Sequence, residues 1–335
     1  MRSLDPPSNE APRSADSVLA GLDPDQRAAV TAPVGIVVVR AGAGSGKTTV
    51  LMRRIAWRAL SETADIERVL AITFTRQAAT EMRSRLARFD LDGRPVIGTF
   101  HAVARRLMLQ FLEDRNRRIP VIVNNRSSLM SSCMGDDAKS GGIYDVLTAV
   151  DWAHAHMITP SKAAEKLAEA GLKIPLGARR FTEVFEQYER TKKKRGVIDL
   201  NDFMTSVIQE AKKDPRFIES IRFQYRHISV DEAQDMNPLQ YEFLKVLVPN
   251  AADLFLVGDP NQAIYGFNGA NKTLFDELPG FHAGAHVVSL PSNYRCTPEI
   301  VQMAVDTLAK DGQIADAQSK RLSGQVVRLE RCSDE

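Results

Sequence analysis

Cysteine is almost absent. Cys133, Cys296 and Cys332 are the only three in 335 residues, scattered, with no CxxC pair and no histidine at metal-ligand spacing. That argues against a disulfide framework or a zinc site and suits a reducing compartment, so a cytoplasmic location is expected. Long apolar runs are missing too: nothing in the sequence approaches the ~18 residues needed to span a bilayer. Met1 to Ser17 lacks the apolar stretch of a signal peptide and carries Pro6, Pro7 and Pro12 among charges of both signs. Residues 1–17 therefore read as a flexible leader. Nor does one sign of charge dominate. Lys and Arg number 44 against 42 Asp and Glu, and the net +2 neither requires nor excludes a polyanionic partner.

What is present is an ordinary globular composition, long enough for two or three domains. Short β-branched or apolar runs recur at Ile36–Val39, Val69–Phe74, Val96–Ile97, His227–Val230, Leu254–Val257 and Val287–Leu290. Each is followed by a turn or a helical pattern, which predicts an α/β fold with a parallel, helix-covered sheet. Ligands of such sheets bind beyond the carboxyl ends of the strands. Between Leu109 and Gly196 the strand signal fades. Helical periodicity replaces it at Leu129–Met134, Val146–His156, Ala163–Ala170 and Phe181–Lys193, broken by Gly141–Gly142, Pro160 and Gly177. Residues 109–196 thus read as a helical insertion between two parts of one α/β domain, 18–108 and 197–289. Basic clusters (Arg83, Arg85 and Arg88; Arg105 and Arg106; Arg115, Arg117 and Arg118; Lys192 to Arg195) fit solvated helix faces as readily as phosphate contacts.

The strongest motif is Ala41-Gly42-Ala43-Gly44-Ser45-Gly46-Lys47-Thr48, between the Ile36–Val39 strand and a helix over Val50–Leu60. Glycines let backbone amides wrap phosphate oxygens, and the helix N-terminus adds partial positive charge. Lys47 is expected on the β- and γ-phosphates and the Thr48 hydroxyl on Mg²⁺, although Ala41 stands where the motif usually begins with glycine. A second site follows another strand at Val230-Asp231-Glu232-Ala233-Gln234-Asp235. Asp231 is placed to hold Mg²⁺ and Glu232 to orient and activate the attacking water. Asp235 can equally cap a helix starting near Pro238.

Taken in order, these motifs and several others resemble the UvrD/Rep/PcrA superfamily 1 DNA helicases. Leu22 to Val30 resembles the family's adenine-reading element, with Gln26 on the base. Ile72 to Ala79 and Gly98-Thr99-Phe100-His101 resemble two DNA-contacting motifs. Val257 to Phe267 resembles the coupling motif, and Leu290 to Ile300, around Asn293-Tyr294-Arg295, the next one. The resemblance implies a RecA-like P-loop fold, ATP with Mg²⁺, and 3′-to-5′ movement on single-stranded DNA or at single/double-strand junctions. It implies that Gln262 and Arg295 meet the γ-phosphate and that Tyr294 stacks on adenine. Phe74, Tyr265 and Phe267 would stack on DNA bases, with Thr73, Thr75 and His101 on the backbone.

The pattern departs from the family in two places. Thr49 replaces the arginine that sandwiches adenine in relatives, which leaves selectivity for ATP over other nucleotides open. Gly266-Phe267-Asn268 replaces an Arg-aromatic-Arg triplet, which predicts weaker or differently coupled DNA binding. Residues 290–335 would begin a second RecA-like domain, whose arginine finger is not found after Val301. Another chain or segment would then supply it, and the expectation is little unwinding by this polypeptide alone. A nucleotide-gated module binding single-stranded DNA or a partner, with negligible turnover, stays open as the alternative.

Overall fold

The computed structural model describes residues 14–123, 125–140, 142–248, 253–263, 274–275, 284–310 and 316–323. Its strands are β1 (Ile36–Ala41), β2 (Val69–Thr73), β3 (Val96–Thr99), β4 (Val121–Ile122), β5 (Val197–Ile198), β6 (His227–Val230), β7 (Asp253–Gly258), β8 (His286–Leu290), β9 (Ser292–Asn293) and β10 (Gln318–Ser319). Six of them form one sheet in the order β3-β2-β6-β7-β1-β8. Every neighbouring pair in it runs parallel.

Both faces of this sheet are covered, which is why its strands read as unbroken apolar runs and not as alternations. Successive strand residues point to opposite faces. Ile36, Val38, Leu70, Ile72, Ile228 and Val230 face one core with helices α5 (Phe100–Asp114), α10 (Leu200–Lys213), α11 (Pro215–Gln224) and α12 (Pro238–Leu247). Val37, Val39, Val69, Ala71 and Phe255 face the other with α1 (Ala15–Leu19), α2 (Pro24–Thr31), α3 (Lys47–Leu60) and α4 (Arg76–Leu86). Arg54 of α3 binds the two halves of that second layer. Its guanidinium donates to the carbonyls of Val30 and Ala32 at 3.1 and 2.7 Å, just where α2 leaves carbonyls without helical partners. It also reaches Asp253 at 3.3 Å. Burial outweighs the Asp253 charge and lowers Arg54 to about 10.

The helical unit has a core of its own, from Leu129 to Tyr188. It is built from α6 (Arg126–Met134), α7 (Ile143–Ala155), α8 (Pro160–Glu169) and α9 (Ala178–Arg195). Gly142 and Gly177 occupy the N-caps of α7 and α9, and Pro160 the first turn of α8, so the sequence breaks are helix starts. A short parallel ladder, Val121 with Val197 and Ile122 with Ile198, closes the neck. The expected boundary at residue 109 therefore falls inside α5. No breaker interrupts that helix, and Phe111 and Leu112 still pack in the sheet's core. The span expected as a leader overlaps a helix: Ser14 caps α1, and Val18 and Leu19 are buried.

The basic run at the end of α9 is split by the fold. Lys193, Lys194 and Arg195 are exposed, but Lys192 is 3% exposed and is not a phosphate contact. Its ammonium lies 2.9 Å from Glu189, 3.0 Å from Asp199 and 3.0 Å from Asp202. Its position on α9 explains this, since it follows Phe181, Val184, Phe185 and Tyr188 on the same buried stripe.

Candidate functional site

The phosphate loop forms where β1 ends. Gly44 and Gly46 adopt left-handed backbone (φ +71° and +89°), and the Ser45 hydroxyl closes the turn onto the Gly42 carbonyl at 2.8 Å. No side chain caps Gly46, so the first amides of α3 are left for an anion. Lys47 is 9% exposed, and its Nζ has no hydrogen-bond partner, although Glu232 Oε2 lies 3.2 Å away. A buried ammonium without a hydrogen bond is costly, and a phosphate oxygen would satisfy it. Gly44 also has no room for a side chain: a Cβ would stand 2.6 Å from that of Arg295. Gly44→Ala is expected to weaken binding of a fluorescent ATP analogue at least about tenfold, combining left-handed strain with displacement of Arg295. Unchanged affinity would show that the close packing of 295 on the loop is dispensable.

The acidic loop lies alongside, since β6 is separated from β1 only by β7. The Thr48 hydroxyl donates to Asp231 Oδ2 at 3.1 Å, bringing together the two groups expected on Mg²⁺. Burial, and then the Glu232 charge, push Asp231 up to about 6 against the Thr48 hydrogen bond and Lys47. The same two causes, burial and Glu232, raise Asp235 to about 6. Surplus negative charge in a buried site fits a divalent cation. Among the described residues no group of three or more His, Cys, Asp or Glu side chains is arranged to hold one. A hydroxyl plus one carboxylate is the sparse protein donor set that suits Mg²⁺ held largely by water and phosphates. Glu232 sits in left-handed backbone at φ 51°, a strained state for a residue with a side chain. Asp235 does not cap the next helix. Asn237 does, accepting from the Gln240 amide at 2.9 Å, and Asp235 points inward.

After β8 the chain folds back over the phosphate loop. Asn293 donates to the Ala43 carbonyl at 2.6 Å, and the Tyr294 amide to the Gly44 carbonyl at 2.9 Å. The Tyr294 hydroxyl donates to Asp23, and burial followed by that carboxylate raises it to about 12. Gln26 is fully buried, with both ends of its amide in use. Oε1 accepts from the Asp23 amide at 3.3 Å, and Nε2 donates to the Ser45 carbonyl at 2.9 Å. It braces the loop in this arrangement. Thr49 is half-buried in the first turn of α3, Gln262 donates to the Asp259 carboxylate, and Arg295 is exposed.

At the far half of the sheet, β2 and β3 end in the remaining expected residues. Thr73 is 2% exposed. The Thr75 hydroxyl caps α4 by accepting from the Ala78 amide at 3.0 Å. Phe74 is half-buried, edge-on to Phe100 at 5.5 Å, and His101 Nε2 pairs with Asn201 Oδ1 at 2.9 Å. Tyr265 and Phe267 lie outside the described residues.

A family model described as the UvrD/REP helicase N-terminal domain matches residues 22–281. The chain belongs to this family. Among curated relatives, "ATP-dependent DNA helicase UvrD2" of Mycobacterium tuberculosis (strain ATCC 25618 / H37Rv) is 35% identical, over 93% of this chain and 47% of its own length. "ATP-dependent DNA helicase UvrD1" of Mycobacterium leprae is 31% identical, over 88% and 40%. "DNA helicase II" of Haemophilus influenzae is 30% identical, over 88% and 41%. The chain thus spans about half the length, or less, of these relatives. No helix among the described residues is long and apolar enough to cross a membrane.

Within this UvrD-like domain the sequence reading missed Gln234, Asp259 and Asn293. All three are buried polar residues that join loops. Only their place inside recognisable motifs marked them. The expected start of a second domain at residue 290 also looks different here, because Asn293 to Arg295 lies against the phosphate loop. Beyond it, α13 (Pro298–Lys310) follows, and β10 pairs with β9 alone among the described residues.

Proposed function

We propose that this chain is the ATP-hydrolysing, single-stranded-DNA-contacting front half of a UvrD-like 3′-to-5′ DNA helicase. The observation that carries the reading is the meeting of Thr48 with Asp231 and of Lys47 with Glu232, across loops far apart in sequence. Lys47 and the loop amides bind the phosphates. Thr48 and Asp231 would hold Mg²⁺, which would neutralise phosphate charge. Glu232 takes the proton of the attacking water, Gln262 and Arg295 approach the γ-phosphate, and Tyr294 and Gln26 face the adenine end. The ends of β2, next to β6, and of β3, one strand further, carry Thr73, Phe74, Thr75 and His101, which this reading assigns to DNA. Strands about 5 Å apart set the end of β2 directly beside the acidic loop after β6. The exposed half of Phe74 serves as a base platform.

The reading is tested by steady-state ATP hydrolysis with and without single-stranded DNA, beside Lys47→Ala and Glu232→Gln. DNA-stimulated turnover lost in both variants supports it. ATP binding that shifts DNA affinity without turnover supports the gated binding module instead.

A further inference from the structure

We infer that Gln234 is a positioning residue that ties the water-activating Glu232 to the turn carrying Gln262, so that neither moves without the other. The inference rests on the ATPase reading above and deepens it.

Glu232, in its left-handed conformation, reverses the chain into a short turn, Ala233–Asp235. That reversal sends the Gln234 side chain inward, where it is 1% exposed. Its Nε2 donates to Glu232 Oε2 at 3.0 Å, the oxygen that also faces Lys47. Its Oε1 accepts from the Asp259 amide at 3.0 Å. Asp259 in turn accepts from the Asn261 amide at 3.0 Å and holds the Gln262 side chain. A single amide therefore stands between the carboxylate and the turn after β7.

Room has been made for it. A Cβ on Gly258 would lie 2.6 Å from Gln234 Oε1 and 3.1 Å from the Phe275 ring. The chemistry at the two ends is opposite, a donor toward Glu232 and an acceptor toward Asp259, and a primary amide supplies both while remaining neutral. A glutamate could still accept from Asp259 but would face Glu232 with a like charge. A methionine could do neither.

This separates the two ends by experiment on the full chain. Gln234→Glu and Gln234→Met are compared with the parent for binding of a fluorescent ATP analogue, for kcat and KM with single-stranded DNA, and for hydrogen exchange at the Asp259 amide. Gln234→Glu is expected to lose about 10–100-fold in kcat, with KM and nucleotide affinity within about threefold, because Glu232 is misplaced and not removed. Its Asp259 amide stays protected. Gln234→Met loses kcat similarly, and its Asp259 amide exchanges at least about tenfold faster. Parental kcat in Gln234→Glu, or parental exchange at Asp259 in Gln234→Met, overturns the inference. If the parent chain itself shows no turnover, the ATPase reading fails separately, and exchange at Asp259 alone decides whether Gln234 holds the turn.

Discussion

Glu232→Gln is expected to lower DNA-stimulated ATP turnover by about 10²–10⁴-fold, the range for loss of a general base, while nucleotide affinity stays within a few-fold. The amide keeps the size and hydrogen-bonding reach of the carboxylate but cannot take a proton from water. Two features of the site predict that binding will hold. On the proposed reading Lys47 and the α3 amides bind the phosphates without a hydrogen bond from Glu232, and removing the Glu232 charge removes a cause that pushes both Asp231 and Asp235 up. Turnover measured by phosphate release and affinity measured by titration with a fluorescent analogue separate the two effects. Parallel losses in both would mean that Glu232 acts chiefly in binding. Undiminished turnover would remove it from the chemistry altogether.

The sheet was legible in the sequence because both of its faces are buried. Each of the six runs read as a strand lies in the sheet, shifted by at most a residue or two at its ends, where burial no longer distinguishes strand from turn. The helix starts in the insertion were equally legible from Gly142, Pro160 and Gly177. The motifs they stand in assign both Thr48 and Asp231 to one Mg²⁺, and the fold sets the hydroxyl and the carboxylate 3.1 Å apart. What the sequence withheld were partnerships between distant polar groups. Asp235 and Asn237 are both competent caps, and only the inward turn after Glu232 selects Asn237. Gln234 looks like any polar residue in a loop until β7 is set beside β6. The run Lys192 to Arg195 hides its one buried member because burial depends on three carboxylates, two of which arrive from the next helix and its cap.

That buried lysine carries the largest expected effect on stability. Lys192→Met should destabilise the neck between the helical unit and the sheet by about 3–5 kcal/mol near neutral pH, because it leaves buried carboxylates uncompensated. Asp199 is 2% exposed and is the N-cap of α10, with Asp202 completing the capping box, so the loss reaches the sheet's own packing. The pH dependence gives the sign. Burial pushes Asp199 and Glu189 up, but Lys192 on the first, and His154 with Lys192 on the second, outweigh it and hold both below the usual range. Their contribution is present above the unfolded carboxylate values and is lost as pH falls through the lower folded values, below about pH 4. Asp202 runs the other way: burial and the Asp199 charge raise it, so acidification relieves it and offsets part of the loss. Removing Lys192 removes the largest cause that depresses Asp199 and one of the two that depress Glu189, so burial weighs more on both. The variant should therefore regain stability as pH is lowered from about 7 toward 5, by more than the parent does. Urea denaturation across that interval reads both the loss and the slope. A Lys192→Met chain with the parent's midpoint at neutral pH would mean that the carboxylates find water or other partners when the ammonium is gone, and that the cluster is not what holds the helical unit to the sheet.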